Sequence, residues 1–390
     1  MPYYSRYTFH FHLRIAAFEG FIAGIFLLNE FVARKTLHVS DWGIMLMLMI
    51  PTVTFSIALF WKPQYRKGKL FLWLGIPGRI VLLGMFFVHQ SYFFILLIVC
   101  SSLVANLMIP VQNNIIKLNY GKLKGYYFGR ATTISALTTI TTASLFGWLL
   151  QQNDSLYHIA YPVAGIIGII SYLTWSRIRK RAMPTTINGG NQGDSDWSIT
   201  DIGRVFKLDK EFRIFEINYF IYGLGFMMLH LTLPLYLVDR MHINYTQAGI
   251  ARGLIFYTIV VFIAPMVGKI YDRIGPYKLS SIGFAVFGLF PIFILFSSNF
   301  NQIYASFVVF ALAMACVNIV WNLGPVQISP PGSERLYMSI HMSLVGLRAS
   351  LGYPLGILIK TVSSYETVFI IVFLLEIIAS YRMRQLARIS

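Results

Sequence analysis

The sequence predicts an all-α membrane protein of twelve transmembrane helices, arranged as two pseudo-symmetric bundles of six. Three observations lead there. Hydrophobic residues make up 56% of the 390-residue chain and charged residues 12%, with a mean hydropathy of +0.64. A soluble chain of this length needs a far more polar surface, so lipid is the expected solvent. Long apolar stretches recur with only short polar breaks, and one polar segment near the middle halves the chain.

A membrane-spanning helix needs ~20 mostly apolar residues, because each residue rises ~1.5 Å across a hydrocarbon layer of ~30 Å. Twelve stretches qualify, near 14–33, 43–61, 70–89, 92–114, 127–150, 157–176, 212–238, 246–268, 279–297, 302–325, 337–360 and 364–382. Their connections are short, which makes successive helices antiparallel neighbours. The exception, 177–210, is polar and contains the turn-forming run Asn188-Gly189-Gly190-Asn191. It reads as a cytoplasmic linker between bundles at 1–176 and 211–390. The first apolar run exceeds a signal-peptide core and no small-residue cleavage pattern follows, so it is expected to stay as a helix.

The formal net charge of +17 does not point to nucleic acid. Basic residues concentrate in alternate loops, as the positive-inside rule requires. Lys62, Arg66, Lys67 and Lys69 share one side with Lys117, Lys122, Lys124 and Arg130. The same side holds Arg177, Arg179, Lys180 and Arg181, and Arg382, Arg384 and Arg388 at the tail. The other side has little beyond Arg34, Lys35, Arg240 and Lys360. Both termini are therefore expected in the cytoplasm, with the chain multi-pass in the cell membrane. Cys100 and Cys316 both fall in apolar runs, which argues against a disulfide framework or a metal site. No phosphate-cradling loop, His-Glu-x-x-His pair or serine elbow occurs, so neither a cofactor nor catalysis is expected.

The halves look related. Arg14-Ile15-Ala16-Ala17-Phe18-Glu19 with Gly24 aligns with Arg213-Ile214-Phe215-Glu216-Ile217-Asn218 with Gly223. Pro110-Val111-Gln112 matches Pro325-Val326-Gln327, and Arg66 with Gly68 matches Arg273 with Gly275. Such parallel repeats place a binding site at the repeat interface.

Between the eighth and ninth stretches runs Gly268-Lys-Ile-Tyr-Asp272-Arg273-Ile-Gly275-Pro-Tyr-Lys278. This segment resembles the loop signature of the major facilitator superfamily: glycine, then Asp-Arg four residues on, then glycine and a basic residue. The resemblance implies a secondary transporter that rocks its halves around a midplane site. It also implies that this loop locks against the fifth helix, whose entrance carries Gly129-Arg130, so Asp272 and Arg130 are the expected gate pair. Gly268, Arg273 and Gly275 shape that gate. The first-half copy departs from the pattern, with Tyr65 where the aspartate belongs, and the fifth helix lacks the Gly-Pro-rich motif of the family's drug antiporters.

Charges inside a bilayer are costly and call for a role. In the superfamily, helices 1, 4, 7 and 10 line the cavity. Glu19 in helix 1 then resembles a proton-coupling acid, against the alternative of a fixed pair with Arg79. Arg348 in helix 11 either attracts an anionic substrate or pairs with Glu376 of helix 12. Arg252 is expected to snorkel or guard the mouth, and Glu30 and Glu216 to be interfacial. Asn218, Tyr222 and His230 fall roughly on one face of helix 7, and Asn318 and Asn322 share a face of helix 10 beside Trp321. Asn106, Gln112 and Asn113 lie in helix 4. As a set, these amides and aromatics better suit a small organic solute; singly, each better suits interhelical hydrogen bonding. The expected partners are that solute, protons and the lipid bilayer, around a monomer. Uptake or exchange of a small metabolite, export of amphipathic compounds, and a non-transporting sensor or assembly factor of the same fold remain open.

Overall fold

The computed structural model describes residues 3–57, 68–120, 124–178 and 199–389. The first-half loop at 58–67, the basic residues Lys122, Arg179, Lys180 and Arg181, and most of the central linker lie outside the described residues. Within them the chain is almost wholly helical and contains no strand.

The first half comprises α1 (Tyr3–Phe26), α2 (Asp41–Ile57), α3 (Phe71–Phe87), α4 (Ser91–Tyr120), α5 (Lys124–Gln152) and α6 (Tyr157–Arg177). A short amphipathic helix, Ile199–Leu208, leads into the second half. There α7 is Lys210–Asp239. The rod Tyr245–Leu295 breaks at Gly275 into α8 and α9. It is followed by α10 (Phe300–Ile328), α11 (Glu334–Val362) and α12 (Tyr365–Ile389). Eight of the described helices are long and apolar enough to cross a membrane, the 51-residue rod counted as one; Asp41–Ser56 and Phe71–Phe87 are shorter apolar helices.

Local sequence sets the breaks. Asp209 caps α7 by accepting from the Phe212 amide at 2.9 Å, and Asn244 with Gln247 forms a reciprocal cap at the start of α8. Gly275 takes φ +74°, which a residue with a Cβ rarely adopts, and this turns α8 into α9. Gly68, its counterpart in the first half, also has φ +74°. Large apolar side chains face outward, among them Trp73, Phe87, Phe262 and Phe296. So much exposed apolar surface suits a lipid environment and not water.

In the first half, α1 packs on α5 and α6, and α3 on α6. In the second, α7 packs on α11 and α12, and the α8–α9 rod on α10 and α12. The halves meet through two helix pairs, α2 with α11 and α5 with the start of α8. Small residues let these pairs approach. A Cβ on Gly147 of α5 would lie 2.6 Å from the Tyr245 carbonyl oxygen, and one on Gly249 of α8 2.6 Å from that of Ala143. On the other pair, a Cβ on Gly346 would meet Ser56 Oγ at 2.1 Å. Close backbone approach through small residues is the usual basis of helix association in lipid.

Candidate functional site

One end of the interface between the halves is sealed by charge. Arg34 grips Asp239 with two parallel bonds, Nε to Oδ1 at 2.8 Å and Nη2 to Oδ2 at 2.7 Å. Its Nη1 also lies 3.1 Å from Asp41. Asp41 is shared with Lys360, and Asp239 accepts a further bond from the Tyr365 hydroxyl at 2.7 Å. Lys35 donates to the Ile243 carbonyl at 2.7 Å, and Thr36 bonds Tyr245. Forked guanidinium–carboxylate pairing is geometrically selective, so this network fixes register as well as closing the gap.

One layer deeper, Arg252 of the second half donates to Glu30 of the first at 2.8 Å. Both side chains are largely shielded, at 16% and 5% exposure. The expectation of an interfacial Glu30 is thereby corrected, and so is the snorkelling alternative for Arg252, while its other alternative, guarding the mouth, is left standing. Their positions near helix ends suggested solvent, but the two halves cover them and each supplies the other's partner. Both Arg34 and Arg252 sit on widened π turns, Val32–Thr36 and Ile250–Ile255. Such turns re-aim side chains and often mark functional positions.

Beneath this pair lies a narrow cavity of about 40 Å³. Its wall is aromatic, with Phe226 of α7, Phe287 and Phe290 of α9, Phe307 and Phe310 of α10, and Phe31 from the first half. His230 and Arg252 are its polar points. The His230 ring stacks on Phe226 with 5.7 Å between centroids, and its Nδ1 is bonded to the Tyr353 hydroxyl at 3.0 Å. A second hollow of about 30 Å³ lies between α2, α4 and α11, lined by Asn106, Pro110 and Met342 among others. Asn106 spends its amide on the Pro51 carbonyl at 2.8 Å.

Gly129-Arg130 and Gly268-Asp272 lie toward the opposite ends of α5 and α8. Asp272 and Arg130 are both exposed and form no ion pair with each other; Arg130 lies over the Phe9 ring instead, at 5.9 Å. Added Cβ atoms on Gly129, Gly268 and Gly275 would meet nothing within 4 Å. Arg273 is exposed as well. The expected gate pair is not formed among the described residues. The α5–α8 contact sits at the Arg34 end, about 25 Å away along α5 at 1.5 Å per residue.

The other expected residues divide. Of the helix 7 set, His230 reaches the cavity. Tyr222 stacks on Phe284 at 4.5 Å behind it, and Asn218 is buried against Arg382 of α12 at 2.9 Å. The set therefore does not converge, because its drift around the helix spreads it over three neighbours. Asn318 and Asn322 bond along α10, Nδ2 to carbonyl at 2.7 Å, and both are exposed, while Trp321 packs on His341. Gln112 is half-buried and Asn113 exposed.

Glu19 is turned toward α3 and α6, bonded to Arg79 at 3.0 Å and to Ser171 at 2.6 Å, which is the fixed-pair alternative. Arg348 is buried but does not pair with Glu376. Its Nη1 donates to the Tyr219 carbonyl at 2.7 Å, and its stem lies where a Gly223 side chain would be. The depth match between Arg348 and Glu376 suggested an ion pair, but they occupy different faces of α7. Glu216, expected at an interface, is 1% exposed and bonded to His341 at 2.9 Å. The sequence reading missed His341, although its place in an apolar run of α11 was a signal.

Residues 215–385 match the family model of the Major Facilitator Superfamily. No curated protein matches the sequence. Solved structures share the fold over nearly the whole chain. A point mutant of the nucleoside transporter NupG superposes with a TM-score of 0.76 at 14% identity, covering 96% of this chain and 98% of that one. A bacterial homologue of the human lysosomal transporter Spinster, in an inward-facing and unoccupied conformation, gives 0.71 at 14% identity, covering 100% and 98%. A POT family transporter in complex with 5-aminolevulinic acid gives 0.68 at 16% identity, covering 98% and 96%.

Proposed function

We propose that this chain is a secondary transporter of a small organic solute and a member of the major facilitator superfamily, a reading supported by the family-model match over residues 215–385 and by the fold shared with solved transporters. Twelve crossings fit this reading when the rod broken at Gly275 counts twice and α2, α3 and α12 are included. The six-helix halves, 1–176 and 211–390, rock about the α2–α11 and α5–α8 contacts. The termini lie in the cytoplasm, so the Asp272 end is the inner one and the conformation described is open inward.

The observation that carries this is the asymmetry of the two ends. Cross-half polar contacts close the Arg34 end, at Asp239, Asp41–Lys360, Ile243, Tyr245 and Glu30 among them, while Asp272 and Arg130 at the other are both exposed and do not pair with each other. When the halves rock, the outer ring breaks and Asp272 reaches Arg130, exchanging one set of charge-assisted bonds for another.

The cavity bears on the solute. Six phenylalanines and a stacked histidine line it with apolar and aromatic area, and its charged edge, Arg252, is neutralised by Glu30. An aromatic, amphipathic solute with one polar group fits better than a polyanion or a free sugar. This favours handling of amphipathic compounds over uptake of a small anionic metabolite. The driving gradient we assign to protons.

A ligand screen tests the reading. Purified chain is scanned for thermal stabilisation by aromatic and amphipathic solutes, and hits are assayed for flux in liposomes with and without a pH gradient. His230→Ala and Phe226→Ala should weaken stabilisation by the hit at least tenfold. Stabilisation unchanged by both, or hits that bind without any flux, would overturn the proposal.

A further inference from the structure

Glu376 lies midway along α12 and is fully buried. Both carboxylate oxygens are out of solvent and neither has a hydrogen-bond partner. The neighbouring helices carry glycine where they cross it. A Cβ on Gly225 of α7 would stand 2.7 Å from Oε1, and one on Gly288 of α9 3.0 Å from the Glu376 Cβ.

The charged and titratable groups of the surrounding helices are engaged elsewhere. On α7, Glu216 faces His341, and the Tyr222 hydroxyl points to the Met314 sulfur. On α11, the Arg348 guanidinium is bonded to the Tyr219 carbonyl. On α12, Arg382 is bonded to Asn218. Along α9, residues 281–295 include no ionisable side chain.

The first half provides a contrast. Its corresponding helices α1, α3 and α6 also bury a charged group against glycine. The Cδ of Arg79 lies 2.6 Å from where a Gly168 Cβ would be. That cation has its counterion, since Glu19 is 3.0 Å away. The second half has the acid without the base.

A bare carboxylate at such a place costs several kcal/mol, more than helix packing of this kind returns. Helices in contact at glycine leave no space for a hydrated or metal cation beside Oε1. A proton is the cation that fits.

We propose that Glu376 is a proton-binding site of this chain, occupied while α12 is packed on α7 and α9. The proton is thus held within the second half, behind the substrate crevice and not inside it. The site stands whether or not the aromatic cavity is the substrate site.

Infrared difference spectroscopy of the full chain in lipid vesicles at neutral pH tests it. The wild-type minus Glu376→Gln spectrum should show loss of one protonated-carboxyl carbonyl band, with the carboxylate region flat. Loss of carboxylate bands instead would overturn the proposal. Should the glutamine variant not fold, Glu376→Asp keeps the acid one methylene shorter. Wild type minus Glu376→Asp should then show a paired shift in the protonated-carboxyl region, and a pair in the carboxylate region or no feature would overturn the proposal.

Discussion

Arg34 and Asp239, 205 positions apart in the chain, meet in a forked ion pair with both bonds under 3 Å. The pair joins the two halves at the end where they touch. Both side chains are about three-quarters shielded, so solvent screens it less than an ordinary surface pair.

Asp239→Asn should loosen that end. Hydrogen bonds to charged groups are worth about 1.5–3 kcal/mol, and 1.4 kcal/mol is a tenfold change in an equilibrium. In a background with Cys100 and Cys316 replaced, a cysteine at buried Ile243 should react with a bulky polar maleimide about tenfold faster in the variant. An unchanged rate would mean that the pair does not hold the closure.

Gly147 of α5 should not accept a side chain. A leucine there pushes against the Tyr245 backbone, for which no flexible atom can yield. Overpacking of this kind costs about 1–3 kcal/mol. Gly147→Leu should lower thermal stability and raise reactivity at Ile243→Cys together. Loss of stability with unchanged reactivity would show that the contact supports the fold and not the closure.

Glu216 and His341 form a deeply buried polar pair joining α7 to α11, with side chains 1% and 0% exposed. Removing one partner leaves an uncompensated buried group, at a cost of about 3–5 kcal/mol. His341→Ala should therefore lower the thermal midpoint by several degrees, and Glu216→Gln by less, since an amide can still accept from the ring. Equal, small effects from both would contradict a shielded pair.

Much of this architecture is legible in the sequence because lipid imposes a simple pattern. The helices fall on the apolar stretches, and the Gly68–Gly275 repeat match reappears as two glycines with the same positive φ. The Glu19–Arg79 alternative could be named because both residues are isolated charges in otherwise apolar helices. What spacing could not convey was which neighbour each charge meets. Arg252 and Glu30 looked like helix-end residues because depth along one helix says nothing about coverage by the other half. Arg348 and Glu376 were matched by depth, yet they pack on different glycines of α7, Gly223 and Gly225, two residues and about 200° apart. The aromatic wall was missed because phenylalanine in a membrane helix looks the same facing lipid or facing a cavity.

Asp272 and Arg130 should meet only after the Arg34 end opens. Cysteines at the two positions should cross-link poorly with a short bifunctional reagent in the otherwise unaltered chain, and several-fold better with Asp239→Asn added. Equal yields in both backgrounds would remove these residues from the gate.

Paired spin labels test the central claim most directly, one pair spanning Thr36 and Tyr245 and the other spanning Arg130 and Asp272, each measured with and without Asp239→Asn. Alternating access predicts opposite changes: the variant lengthens the first distance distribution and shortens the second. Two distributions that stay fixed, or that lengthen together, would contradict it.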